Sequence, residues 1–384
     1  MKMLIEIHML KNYPPTNLNR DDTGSPKSCY FGGVQRGRIS SQCLKRSWRI
    51  SPVLQDVVGE DCFGIRTRKL PDLVARELKN MGVDQDFIEA AKRKISGFGN
   101  KDGKENKEGN YTAQIAFYAP EDIQAVTNRV YKEINNAQDL KSFKEMKVRE
   151  WQKKMDDVSV RPITLDIALF GRMVTSDLFE DVEAAMQVAH AISTHRVAME
   201  SDFFTAVDEM IDGESIEERG AGMAGDTDFN SCCYYIYAAI DTDQLKDNLK
   251  YTPNAEPVVK KAIPALVEAM AYSNPSGKQN AFAQNIRPDA VLVECKTKKI
   301  GTSYANAYVK PVSPSATKDL VESSIARLAE EVSVFEKDFA LPVDTRLWFC
   351  CSKYGIELKN VSYTKCDTFN ELSANIAEVL ESEN

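Results

Sequence analysis

The sequence predicts an α+β protein, a sheet domain that carries insertions. Three observations lead there. Apolar, strand-like runs recur at residues 4–10, 229–240, 290–295 and 346–351, separated by helical stretches that lack the regular alternation of a doubly wound sheet. A helical block from Pro71 to Lys154 interrupts their order. No tandem repeat or long low-complexity tract is present, which argues against solenoids and propellers. Apolar residues at 43% and charged residues at 28% of 384 positions suit a folded chain with a large core.

In order, Leu4 to Leu10 reads as a buried strand, ended by a turn or extended loop at Asn12-Tyr13-Pro14-Pro15, where proline removes backbone donors. Residues 38–49 read as a loop entering a helix with Ser40 or Ser41 as N-cap. Leu44 and Trp48, four apart, turn to the core, and Lys45 and Arg49 share another face. The block from Pro71 is broken by residues 97–104, too rich in Gly and Lys for regular structure. A helix is expected from Phe179 to Thr194, with Val182, Ala185, Met186 and Ala189 at helical spacing. Residues 212–228 are Gly-rich and acidic, and predict a protruding loop before the strand at 229–240. Helices near Pro257 to Tyr272 and Ala316 to Phe339 alternate with the last two strands.

No apolar run approaches the roughly 20 residues that span a bilayer, and residues 1–11 lack the features of a signal peptide, so a cytoplasmic protein is expected. The nine cysteines include no CxxC pair, and no histidines stand at zinc-finger spacing. They are expected to be reduced, mostly buried, and to bind no metal. Net charge is −8, but residues 1–50 hold nine Lys or Arg against three acids, net +6, which leaves −14 for the remainder. A basic segment on an acidic body can accept phosphate locally while the rest repels free nucleic acid.

The chemistry concentrates in that segment: Asn17-Leu18-Asn19-Arg20-Asp21-Asp22, then Lys27, then Phe31-Gly32-Gly33-Val34-Gln35-Arg36-Gly37-Arg38-Ile39-Ser40-Ser41-Gln42-Cys43-Leu44-Lys45-Arg46. Arg and Lys supply charge-assisted donors and Ser and Gln neutral ones. Glycines allow close backbone approach, and a helix N-terminus attracts phosphate. The bland alternative is a solvated basic helix after a glycine turn.

This ordered string resembles the N-terminus of the CasC family, the backbone subunits of type I-E CRISPR Cascade complexes in the RAMP superfamily. The resemblance continues through residues 166–173, 189–195, 202–208 and, more weakly, 305–307. It implies an RRM-like (ferredoxin-like) palm formed by residues 1–60 plus 180–384, a thumb loop at about 196–229, and a helical fingers insertion at 61–179. Arg20, Lys27, Ser40, Gln42, Lys45, Arg46 and Arg49 would line a palm groove for guide-RNA phosphates. Met173 would wedge against a base, and Phe204, Thr205 and Val207 would sit on the thumb where a nucleotide is kinked out. Apolar Met and Phe surfaces suit base contacts that ignore base identity. Ordinary core packing is the alternative for both residues.

The resemblance further implies copies polymerising along a CRISPR RNA, as a hexamer, beside other Cascade subunits, with target DNA paired through the guide and no cofactor or catalysis. Two other readings remain. Asp21 and Asp22 could support metal-dependent RNA cleavage, although an acid beside Arg20 is also a natural salt-bridge partner. A free-standing RNA-binding module is the other, although the aromatic pattern of a typical RRM is missing. His190 and His195, five apart, lack the HExxH spacing and read as core or capping residues.

Overall fold

The computed structural model describes residues 2–100, 102–106, 110–153, 161–174, 179–206 and 223–382. The described strands are β1 (Leu4–Thr16), β2 (Ser28–Phe31), β3 (Val34–Ile39), β4 (Ile65–Thr67), β5 (Ala116–Tyr118), β6 (Met186–Val188), β7 (Ala191–Ser193), β8 (Glu200–Ala206), β9 (Met223–Asp241), β10 (Ala290–Lys296), β11 (Thr345–Cys350) and β12 (Thr364–Cys366). By its internal contacts the chain divides into two units. The first holds residues 1–57, 187–240 and 260–384, the second residues 58–186 and 241–259. The expected palm range differs from the first unit at residues 58–60, 180–186 and 241–259, which cluster with the helical block.

The first unit is built on a ten-stranded sheet, ordered β12-β11-β10-β1-β9-β7-β3-β2, with β6 and β8 also pairing to β9. One face is closed by the helix Leu320–Phe339. Its Ile325, Leu328 and Val332 pack with Leu10, Cys233, Tyr235, Leu292 and Trp348 of the strands and with Tyr304 and Tyr308. From β1, Lys11 reaches the C-terminal end of the helix Ala255–Tyr272, donating to the carbonyls of Met270 (3.3 Å), Ala271 (3.0 Å) and Ser273 (3.2 Å). Those carbonyls lack intrahelical partners, so the ammonium caps the helix.

The second unit packs helices around their own core. Leu70, Val74 and Leu78 recur every four residues on the helix Leu70–Asn80, as do Val126, Val130 and Ile134 on Pro120–Asn136. Asp122, in the first turn of the latter, accepts from the Ala119 N–H (2.9 Å) and pairs with Arg161 (3.0 Å) and Arg172 (2.5 Å), all buried.

Three local expectations are corrected. Residues 179–194 form no helix: Val182 bridges Arg172 and the segment continues into β6 and β7. Spacings of three and four do not enforce helix when β9 offers a pairing edge to short apolar pieces. β1 runs on through Pro14 and Pro15, which lie past Leu10, the last residue paired to β10, so no bond in that ladder needs their missing donors. Within the expected thumb loop, residues 223–228 extend β9 and pair with β8, while 207–222 lie outside the described residues.

All nine cysteines are free, but only Cys232, Cys233, Cys295 and Cys366 are fully buried. No described helix is long and apolar enough to cross a membrane.

His8 lies fully buried on β1, its Nδ1 2.8 Å from the Tyr235 hydroxyl, and burial pulls its pKa down to about 3. An unfolded chain binds this proton below about pH 6.5 and the folded one does not. The stability contributed above pH 6.5 is therefore lost as pH falls toward 3, by up to about 5 kcal/mol, and His8→Phe should flatten that part of a denaturant-measured acid profile. Asp122→Ala strands two buried arginines and should lower unfolding free energy by roughly 3–5 kcal/mol in the same measurement.

Candidate nucleic-acid interface

The basic segment folds around its short polar side chains. Asn17 Nδ2 donates to the carbonyls of Gly24 (2.9 Å) and Asp228 (2.8 Å), and the Ser25 hydroxyl donates to Asp228 Oδ2 (2.5 Å). Asp21 Oδ1 accepts from the N–H of Thr23 (2.9 Å) and Ser25 (3.1 Å) and from the Thr23 hydroxyl (2.7 Å). These bonds hold its carboxyl below the ordinary aspartate range, the Thr23 hydroxyl contributing most. Asn19 is the hub. Its Oδ1 accepts from the Ser40 N–H (2.9 Å), and its carbonyl accepts from the Lys27 N–H (2.8 Å).

Ser40 then opens the helix Ser41–Arg49 as its N-cap, its buried hydroxyl accepting from the Cys43 N–H at 3.3 Å. Leu44 and Trp48 are buried, as their spacing predicts. Between β2 and β3, Gly32 and Gly33 take positive φ, the requirement of a tight hairpin turn. A Cβ on Gly32 would also lie 1.8 Å from the Val309 carbonyl oxygen.

Loop and helix enclose a recess of about 570 Å³, lined by Leu18 to Gly24, by Cys43, Arg46 and Ser47, and by Pro275, Ser276 and Gly277. Arg20 and Arg46 are exposed at this recess and, among the described residues, neither makes an ion pair. The salt bridge expected between Arg20 and its neighbouring acids is therefore not formed, because Asp21 is turned onto its own loop. Gln42 is exposed in the first turn of the helix, while Lys45 and Arg49 are half-buried along it. Burial draws the Lys45 ammonium below the ordinary lysine range. Lys27 is half-buried at the entry to β2.

Not every cation of the basic segment serves this surface. Arg36 is fully buried, donating to the carbonyls of Phe31 (3.3 Å), Ser193 (3.0 Å), Tyr308 (2.7 Å) and Val309 (3.2 Å). With Lys11 it belongs to the fold, so the net +6 overstates the charge available to a ligand. Arg38, one of the charged donors of the basic segment but not among the expected groove residues, donates to Ser28 O (3.2 Å) and meets His190 Nδ1 at 2.9 Å. His190 is exposed, contrary to the core or capping role expected of it. His195 does cap backbone, with Nδ1 2.9 Å from Arg196 O and Nε2 accepting from the Cys233 N–H.

On the arm formed by β8 and β9, Phe204 is opposite Gly225 and Thr205 opposite Ala224. A Cβ on Gly225 would come within 2.9 Å of the Phe204 ring, so the glycine lets that ring lie across the strand. Phe203 is 66% and Phe204 37% exposed, and Met223 closes the described arm at 58%. Met173, in the second unit, is 87% exposed, so neither it nor Phe204 is core. Val207 lies outside the described residues. Asp21 and Asp22 face the recess, and no group of three His, Cys, Asp or Glu suited to a metal occurs among the described residues.

The family model of CT1975-like protein matches residues 5–375. The chain belongs to that family. The CT1975-like chain also shares its fold with solved structures. One, described as "CRISPR RNA-guided surveillance complex, pre-nicking", has a TM-score of 0.79 at 23% identity, covering 99% of this chain and 100% of the other. A second, "CRISPR RNA-guided surveillance complex", has a TM-score of 0.59 at 22% identity, with the same coverage. No curated protein matches the sequence.

Phosphate beside Lys45 would offset the effect of burial and favour its charged form. Affinity for single-stranded RNA should therefore fall as alkaline pH passes through the lowered Lys45 pKa, and level off above the pKa of the bound state. Fluorescence anisotropy of a labelled oligonucleotide measures this, and Lys45→Arg, charged throughout, should lack the Lys45 portion of the fall.

Proposed function

We propose that this chain is a non-catalytic backbone subunit of a CRISPR surveillance complex, one that coats the guide RNA and presents it for pairing with target DNA. One observation carries the reading. The loop at 17–27 and the start of the helix Ser41–Arg49 are joined through Asn19, and exposed arginines with no ion-pair partner among the described residues flank their recess. Such a surface suits a phosphodiester backbone and carries no base-edge code.

Three features support the finer parts. The inner strands run β10-β1-β9-β7, and in the chain the helix Ser41–Arg49 falls between β1 and β7 and the helix Ala255–Tyr272 between β9 and β10. That is the order of a ferredoxin-like, RRM-like palm. The face that an isolated RRM presents to RNA is filled by the helix Leu320–Phe339, which favours a groove-bound guide over a free-standing RRM. The β8–β9 arm suits a thumb, with Phe204 and Thr205 beside a displaced nucleotide, and Met173 offers an apolar wedge. For the non-catalytic reading, the Asp21 carboxylate already serves three donors of its own loop. Type I-E membership, a cytoplasmic location and a hexameric filament beside other Cascade subunits rest on the CasC resemblance.

The test is the mass of the protein copurified with CRISPR RNAs of two lengths. Copy number should scale with guide length, a Lys45→Ala, Arg49→Ala double variant should lose the assembly, and Asp22→Ala should leave it and the RNA intact. A monomer at every length, or target RNA cut in an Asp22-dependent way, would replace this reading with a free module or a nuclease.

A further inference from the structure

His190 stands among cations at a point to which the proposed guide contacts assign no histidine. Arg38 on β3 places a guanidinium nitrogen 2.9 Å from His190 Nδ1. The Arg38 N–H in turn donates to the Lys27 carbonyl at 2.9 Å, which aligns the two residues across the start of the β2–β3 hairpin. Guanidinium has no acceptor, so Nδ1 must accept and the imidazole proton sits on Nε2. Among the described residues, no carboxylate pairs with Lys27, Arg38 or His190.

Besides burial, the charged groups that act on His190 are Arg38 and Lys27, both cations. Cys29 on β2, also within reach of Arg38, is held as the neutral thiol by burial. An ammonium, a guanidinium and an imidazole N–H gathered without an acid need an anion, and the imidazole can become a third cation once one arrives.

We infer that Lys27, Arg38 and His190 form a second anion site, which grips a phosphodiester of the bound RNA and takes up one solvent proton on His190 as it does so. The inference rests on the RNA-binding reading above and deepens it. When phosphate neutralises Arg38 and Lys27, the repulsion that adds to burial in disfavouring a charged His190 is removed. Arg38 turns a donor to the phosphate, and the freed Nδ1 gains the proton. RNA affinity is then linked to pH. It rises as pH falls through the bound-state pKa of His190 and levels off below the free-state pKa.

The experiment uses full-length protein carrying ¹³C-labelled histidine and a twelve-residue oligouridylate. The chain has three histidines, and His190→Gln identifies the resonance by its loss. His190 should titrate below 6.5 in the free protein and higher with RNA. RNA affinity should rise between pH 7.5 and 5.5 in the wild type, by a factor that matches the separation of the two observed titrations, and stay flat in His190→Gln. Arg38→Met should raise the free-state pKa by removing the nearer cation. Oligouridylate binding that is lost in the Lys45→Ala, Arg49→Ala variant but leaves the His190 titration unmoved overturns this site alone. An equal rise in affinity in His190→Gln does the same. If no RNA binds at any pH, both this site and the RNA-binding reading fall.

Discussion

Four charges buried inside the sheet constrain most of the first unit. Glu6 on β1 stands directly opposite Glu294 on β10, a cross-strand pair of like charge that would repel if left alone. Lys296 bridges them, its Nζ 2.5 Å from Glu6 and 3.0 Å from Glu294, and Arg346 on β11 reaches Glu294 at 2.7 Å and Glu336 on the covering helix at 2.6 Å. Burial alone would raise the Glu294 carboxyl, but His8 and the two cations outweigh it and hold the group below its ordinary value. Desolvating such a cluster is expensive and gives little net stability. What it supplies is register, because sliding any of the three strands by one residue would leave a buried charge alone.

From that ladder follows the location of the binding chemistry. A face holding paired charges must stay dry, and the helix Leu320–Phe339 keeps it so. From β1, Lys11 caps the end of the helix Ala255–Tyr272, and β10 is buried along its whole length. With the middle of the sheet committed to the interior, a long polar ligand is left with the loops and the β2–β3 hairpin at one end. That is where Asn19, Ser40 and the exposed Arg20 and Arg46 are found.

The sequence made this fold legible wherever a local signal sufficed. An N-cap at Ser40 or Ser41, Leu44 and Trp48 as the buried stripe of the helix, and the strands at 290 and 346 needed only periodicity and capping chemistry. The basic segment was visible by charge, but not which charges are used. Arg36 and Arg38 sit two apart in one motif. One ends inside four carbonyls and the other beside His190, a difference decided by β7 and the turn at Tyr308, more than 150 residues away. Asn17 and Asn19 stood in the basic segment without a role of their own, because an asparagine that ties loops together has no signature. The helix expected at 179–194 failed for a related reason: its apolar spacing was right, and its partner was a strand.

The β8–β9 arm has a consequence for the free subunit. All seven residues of β8 are exposed, so the arm buries almost nothing of its own, and an isolated two-stranded ribbon is marginal in water. Its order must be supplied by whatever lies against it, and Phe203, Phe204 and Met223 form an adhesive surface until something does. Folding of this element is thereby linked by mass action to the binding of that cover. A chain made in excess of whatever covers this arm would carry a sticky strand pair, so its solubility is tied to the supply of that cover.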